Sequence, residues 1–321
     1  MKRRGVLHLA AAAGLPALMP RPASAQAPRR VGVLAPSTAA REAVTLQPFF
    51  DEMRTLGWTE GQQVVYERVY GDDRMQDLPQ RAAELVARGP ELIYAPPQPA
   101  AVAARRATAT IPIVFATATD PVGAGLVASL ARPGGNATGI GQFDSLAPKS
   151  LQLLQEMLPR VRRVGLVGDP GDPRFARDRE ALSRLLGAGL VAMPAQNLPS
   201  LDAALQALLK AKVEAVFTTS SILYNLRERV IELTLPARVP VVAHRAQMAD
   251  AGALFSYGAS LGAQIRASAQ VVDKVLRGAR PADLPVQQPM VLELFLNQRT
   301  AGALGIAVPQ SLLLRAEKVI E

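Results

Sequence analysis

An α/β fold of two lobes, each built on a parallel sheet, is what this sequence predicts, and three observations carry it. Short apolar runs alternate regularly with amphipathic stretches, the pattern of repeated βαβ units. The chain has 321 residues, and removal of an N-terminal leader leaves about 295, room for two domains of roughly 150 each. The stretch IPIVFATATDPVGAGLVASLARPGGNATG (111–139) sets a strand, a polar loop and a tight glycine turn in succession. Its strand half, 111–118, is almost wholly apolar and β-branched, as a parallel strand covered on both faces should be. Each lobe is therefore expected to be Rossmann-like.

In the first half the pattern predicts strands over 31–35, 63–70, 92–95 and 111–118. Helices are expected near 42–56, 78–87, 99–108 and 122–130, with Gly57 and Gly89 placed as helix C-terminal glycines. A second cycle begins after 137–143. Its strands are expected over 164–168, 190–194, 215–219 and 239–243, and its helices near 148–158, 174–186, 201–210 and 225–237. The chain then continues with a strand over 253–257, a long helix over 261–277 and a last strand over 291–296. Terminal elements passing back between two lobes explain that order, and periodicity alone does not say which lobe receives 261–277.

The N-terminus carries Lys2, Arg3 and Arg4, an apolar run from 5 to 19, and Ala23-Ser24-Ala25 before Gln26. This is the layout of a secretory signal peptide over 1–25 with a small-residue cleavage site; the run is too short for a permanent anchor. Arg3-Arg4 before Val6-Leu7 also loosely matches a twin-arginine signal, so either export route is open. The chain has no cysteine. That excludes a disulfide framework and a lipid-anchoring cysteine at the cleavage site, so a freely diffusing periplasmic protein is expected. Loss of Lys2, Arg3, Arg4 and Arg21 with the leader takes the formal charge from +9 to +5. The remaining arginines are interleaved with acids over predicted helices and aromatics make up only 4% of the chain, unlike the basic stripe with stacking rings of a nucleic-acid surface.

Candidate ligand residues follow the predicted strands, because open α/β sheets bind at the carboxyl ends of their strands. In the first lobe these are Ser37 and Thr38, Gln98 and Pro99, Thr117 and Asp120. Asp120-Pro121 has the chemistry of a helix N-cap followed by proline at N1, so Asp120 caps a helix over 122–130, contacts a ligand, or does both. Pro99 fits a helical first turn whose amides suit a carboxylate. In the second lobe Asp169, Ser220, Ser221, His244 and Arg245 follow strands, and Phe143 and Tyr257 are aromatics near crossings or strand ends. Gly123-Ala124-Gly125-Leu126-Val127-Ala128 formally matches a dinucleotide fingerprint but does not sit in the first βα turn, so close helix packing is the better reading. With His244 the single histidine beyond the leader and no cysteine, no zinc site is expected. No G-x-S-x-G elbow and no P-loop is present, so neither catalysis nor a cofactor is expected.

Four blocks in order, namely 111–139, SYGAS (256–260), VDKVLRGARPADLP (272–285) and PQSLLLRAEKVIE (309–321), resemble the tryptophan/tyrosine-type ABC transporter substrate-binding proteins. The resemblance implies a type I periplasmic binding fold with about three hinge crossings. It places 29–140 with 259–289 in an N-terminal lobe and 141–258 with 290–321 in a C-terminal lobe. It further implies a monomeric solute-binding protein that takes a small molecule, an amino acid or related carboxylate, between its lobes. The closed form would be presented to an ABC permease whose separate ATPase supplies the energy, and the membrane would be met only through that permease. Arg245 aligns with an arginine of the family's pattern. Pro97-Gln98-Pro99 stands where the family usually has a glycine-threonine-proline turn, which removes one amide donor and adds a longer polar arm. A sensor that feeds a receptor and an exported enzyme using the same cleft are the alternatives.

Overall fold

The structure is a computed structural model that describes residues 27–141, 144–219 and 226–321. Phe143, Ser220 and Ser221 lie outside the described residues.

In the first lobe, β1 (Arg29–Ala35), β2 (Val64–Tyr70), β3 (Leu92–Tyr94), β4 (Ile113–Ala118) and β5 (Ala137–Gly141) form one sheet in the order β2-β1-β3-β4-β5. Every neighbouring pair in it is parallel. Side chains alternate between two cores. Val31 and Val33 face one that holds Phe49 and Met53, whereas Leu34 faces another that holds Leu85 and Ala104. The first core is closed by α2 (Gln47–Thr55) and the second by α3 (Leu78–Ala87) and α4 (Gln98–Ala107). Residues expected to form one helix over 42–56 form two, α1 (Ala39–Thr45) and α2, which meet at Leu46, with Pro48 in the first turn of the second.

The expected helix over 122–130 is absent. Residues 121–125 make turns, in which Ala124 N–H donates to Asp120 O and Gly125 N–H to Val122 O. Gly125 adopts φ +69°, a left-handed conformation that ends helical winding after a single turn, and two glycines in three residues weaken helix further.

The second lobe repeats the plan. β6 (Val164–Gly168), β7 (Leu190–Pro194), β8 (Ala215–Thr218), β9 (Val241–Ala243) and β10 (Phe255–Ala259) stand in the order β7-β6-β8-β9-β10. β11 (Leu292–Asn297) and β12 (Lys318–Ile320) extend the sheet beyond β10. The β10–β11 pair is antiparallel, the one such pair among the described strands. One face packs on α5 (Ala147–Met157) and α6 (Pro173–Leu186), the other on α7 (Leu198–Lys210) and α8 (Arg227–Thr234). α9 (Ala246–Ala251), α11 (Gln298–Leu304) and α12 (Gln310–Leu313), like β12, fall in stretches where no element was expected.

The long helix α10 (Leu261–Leu276) buries Ile265, Ala269 and Val272 in the first lobe's core beside Phe49 and Tyr94. The chain thus leaves the first sheet after β5, returns after β10, and leaves again before β11. These passages are tied together: Gly141 N–H donates to Gln287 O (3.0 Å), Ser260 N–H to Val291 O (3.0 Å) and Gln288 Nε2 to Asp144 Oδ2 (3.3 Å). Among the described residues no helix is long and apolar enough to cross a membrane.

Candidate functional site

In both sheets the strand order reverses beside the first strand of the lobe, between β1 and β3 and between β6 and β8. Loops at such switch points diverge and leave a crevice at the strands' carboxyl ends. The crevices of the two lobes open on one cavity of about 280 Å³, bordered by Gln98, Thr117 and Thr119 from the first lobe and by Asp169, Arg174 and Arg245 from the second.

In the first lobe Gln98 begins α4 and turns its amide oxygen inward, where Oε1 accepts from Thr119 N (2.9 Å) and Asp120 N (2.8 Å). The side chain thereby fixes the loop after β4. Pro99 lies in the first turn of α4, where its missing N–H costs nothing. Thr117 borders the cavity and donates its hydroxyl to Pro96 O at 3.3 Å. The Asp120 carboxylate accepts from Gly123 N (2.9 Å), the turn-capping role the sequence allowed, although the turn does not grow into a helix. Its charge also faces Arg177 of the second lobe and supports that guanidinium's protonation. Ser37 and Thr38 follow β1. The Ser37 hydroxyl donates to Asp73 (3.0 Å) and accepts from Arg41 (2.8 Å), which binds it within its own lobe, while Thr38 is the N-cap residue of α1. Buried Glu42 close by is pushed up in pKa by desolvation, against the hydrogen bond from Ser37 N.

In the second lobe Asp169 follows β6, and its Oδ1 accepts from Gly171 N (2.8 Å) and Gln196 Nε2 (3.0 Å). His244 and Arg245 follow β9, with Arg245 the N-cap residue of α9. Tyr257 lies within β10 and borders a second, smaller cavity of about 30 Å³ behind the cleft, together with His244, Asp178, Phe217 and Val242.

Several residues here were not singled out in the sequence, above all Asp172, Arg174, Arg177 and Asp178. Asp172 caps α6, its Oδ1 accepting from Arg174 N (3.0 Å), and its carboxylate grips the Arg174 guanidinium through Nε (3.2 Å) and Nη2 (2.9 Å). Asp178 is held by the hydroxyls of Ser145 (2.6 Å) and Thr219, yet burial pushes its carboxyl above the usual range. Burial also pulls the Arg177 guanidinium below its usual value, with the charges of Asp178 and Asp120 opposing. A signal for these residues exists. Asp172-Pro173 after an apolar strand marks a helix start, and positions 174, 177 and 178 then share the helical face nearest the strand ends.

Comparison with known proteins agrees with this architecture. The chain is 25% identical over 261 residues to a tyrosine-binding protein of Clostridioides difficile (strain R20291), covering 80% of this chain and 75% of that protein. An ABC domain from Streptococcus pneumonia solved in complex with L-Trp superposes with a TM-score of 0.82 at 24% identity, covering 91% of this chain and 100% of the other. The ligand-free, open structure of a substrate binding protein from Clostridium difficile superposes with a TM-score of 0.75 at 22% identity, covering 91% and 99%. The fold is that of type I periplasmic binding proteins. Residues 31–320 match the model of the ABC transporter substrate binding protein family, a family of solute-binding proteins rather than enzymes. This chain belongs to that family.

Proposed function

We infer that this protein is the periplasmic solute-binding component of an ABC importer and that it takes an amino acid, or a related small carboxylate, between its lobes. The observation that supports this reading most directly is the inter-lobe cavity itself, because residues of both lobes border it. Its chemistry suits a zwitterion. Arg174 and Arg245 offer donors for a carboxylate, Asp169 and the nearby Asp120 offer acceptors for an ammonium, and Gln98, with its oxygen used inside the lobe, leaves its NH₂ as a donor. The tyrosine named for the Clostridioides relative and the L-Trp bound in the Streptococcus structure support an amino-acid ligand.

Ligand that contacts both lobes has different interaction free energies in open and closed forms, so it shifts the hinge equilibrium toward closure. The closed form is the one a membrane permease recognises, and the permease's ATPase provides the energy of transport. Export through the leader 1–25 delivers the protein to that partner.

A thermal-shift screen of the twenty L-amino acids, small carboxylates and purines, followed by titration calorimetry, tests the reading. A ligand of the native state raises apparent stability by mass action. The expected result is a saturable shift with one or more amino acids; binding by purines alone, or by none of these compounds, would remove the amino-acid assignment.

A further inference from the structure

Arg174 stands where the inter-lobe cleft and the small cavity behind it meet, and it borders both. Its guanidinium is held from two sides. Nε and Nη2 donate to Asp172, and Nη1 donates to His244 Nε2 at 2.9 Å. A guanidinium has donors only, so the imidazole must accept at Nε2 and carry its proton on Nδ1. Nδ1 faces the carbonyl oxygen of Thr218 at 3.4 Å, the acceptor that this tautomer requires. Of the three protonation states of a histidine, one alone satisfies both contacts.

We propose that His244 is a positioning residue: it does not bind the ligand but fixes the Arg174 guanidinium at the cleft, where Arg174 receives the ligand carboxylate. The proposal rests on the reading of the cleft as an amino-acid site. An arginine side chain is long and rotamer-rich, and anchoring its planar fork before the ligand arrives removes an ordering cost from binding. Asp172 holds one edge of the fork. The contact with His244 adds a fixed point at Nη1.

The surroundings keep His244 in the required state. The charged and titratable groups that border the cavity behind the cleft are Asp144, Arg174, Arg177, Asp178 and Tyr257, and a further cavity that His244 borders adds Arg245 and Glu293. Burial, then the charges of Arg174 and Arg245, push its pKa well below the ordinary imidazole value, while the contact with Thr218 opposes them. A histidine with a depressed folded pKa contributes stability that is present above its unfolded value, about 6.5, and is lost as pH falls through the folded value. Protonation at Nε2 would set donor against donor and release Arg174, so affinity should stay level near neutrality and fall in acid.

The test uses the full chain, 15N-labelled at histidine, with His244→Gln to identify the His244 signals against those of His8. The expected spectrum at pH 7.5 shows a neutral, Nδ1-protonated imidazole; an Nε2-protonated or cationic His244 overturns the proposal. The twenty L-amino acids are then screened by thermal shift, and the strongest binder is titrated against three proteins at pH 7.5. His244→Gln keeps an acceptor that does not titrate, and should bind within about twofold of wild type. His244→Leu should bind about tenfold or more weakly with an unchanged circular dichroism spectrum, the loss expected for a charge-assisted contact. Unimpaired binding by folded His244→Leu, or binding by His244→Gln as weak as that of His244→Leu, overturns the proposal. If no amino acid shifts wild type, the amino-acid reading falls with the ligand half of the proposal, and the imidazole spectrum still decides whether His244 holds Arg174.

Discussion

The Tyr94 hydroxyl lies 2.8 Å from Ser268 Oγ, joining β3 to α10 across 174 residues of sequence inside the first lobe's core. Ser268 gives its own proton to Ile265 O at 2.7 Å, so Tyr94 is the donor of the pair. Desolvation pushes the phenol pKa up, which keeps that proton in place.

Removing either end should therefore cost different amounts. Tyr94→Phe removes the donor and leaves Ser268 bonded to Ile265, with an expected loss of about 1 kcal/mol. Ser268→Ala leaves a buried phenol without its acceptor, for about 1–3 kcal/mol. Urea unfolding of both variants checks the order, and equal losses would contradict the assigned donor.

Gly139 sits in β5 at φ +154°, and a Cβ there would lie 2.0 Å from Phe115 O of the neighbouring strand β4. The atoms it would meet are all backbone of Phe115, which cannot swing aside as a side chain can. Gly139→Ala should destabilise by about 1–3 kcal/mol or more through overpacking, as read by the shift in thermal midpoint. A variant as stable as wild type would mean that β4 and β5 lie farther apart than described.

Asp178 gives a pH test of the second lobe. Its folded pKa is raised, so the native state holds this proton more tightly than the unfolded chain. The associated stability is full below the unfolded value and is lost as pH rises through the folded one. Wild-type stability should accordingly fall relative to Asp178→Asn as pH rises above the unfolded carboxyl value, about 3.9, toward neutrality. Denaturant titrations over that range check it, and a constant difference would show that burial does not govern this carboxyl.

Asp120→Asn separates the two roles left to this residue. Asparagine can still accept from Gly123 N, so the turn should persist, while the charge is lost. If Asp120 meets a ligand ammonium, affinity for the amino acid found by screening should drop by about 1.5–3 kcal/mol with little change in melting temperature. Unchanged affinity assigns Asp120 to the turn and to the field of Arg177.

Two measurements test the transport reading as a whole. N-terminal sequencing of exported protein should begin at Gln26, and soluble protein that retains residues 1–25 would contradict export through this leader. Small-angle scattering should show a smaller radius of gyration with saturating ligand. A tight ligand that leaves the profile unchanged would remove the hinge mechanism.

What the sequence determined by itself is the β-strands of both cycles other than β5, because continuous apolar runs such as 113–118 and 164–168 can be satisfied only by burial on both faces. It also marked the loops at the strand ends, since Gln98, Thr117, Asp169 and Arg245 border the cleft. Tertiary structure decided the rest. The common strand order of the two sheets leaves no repeat in the residues, because the pairing of β1 with β3 or of β6 with β8 is made across intervening helices. The lobe that receives α10 was decided by a buried face complementary to Phe49 and Tyr94, not by the helix's own period. Arg174 and Arg177 read in sequence as one solvated helix surface. Only the docking of α6 beside β6 turned that face to the cleft, where Asp172 and His244 could hold an arginine that periodicity alone would have left in water.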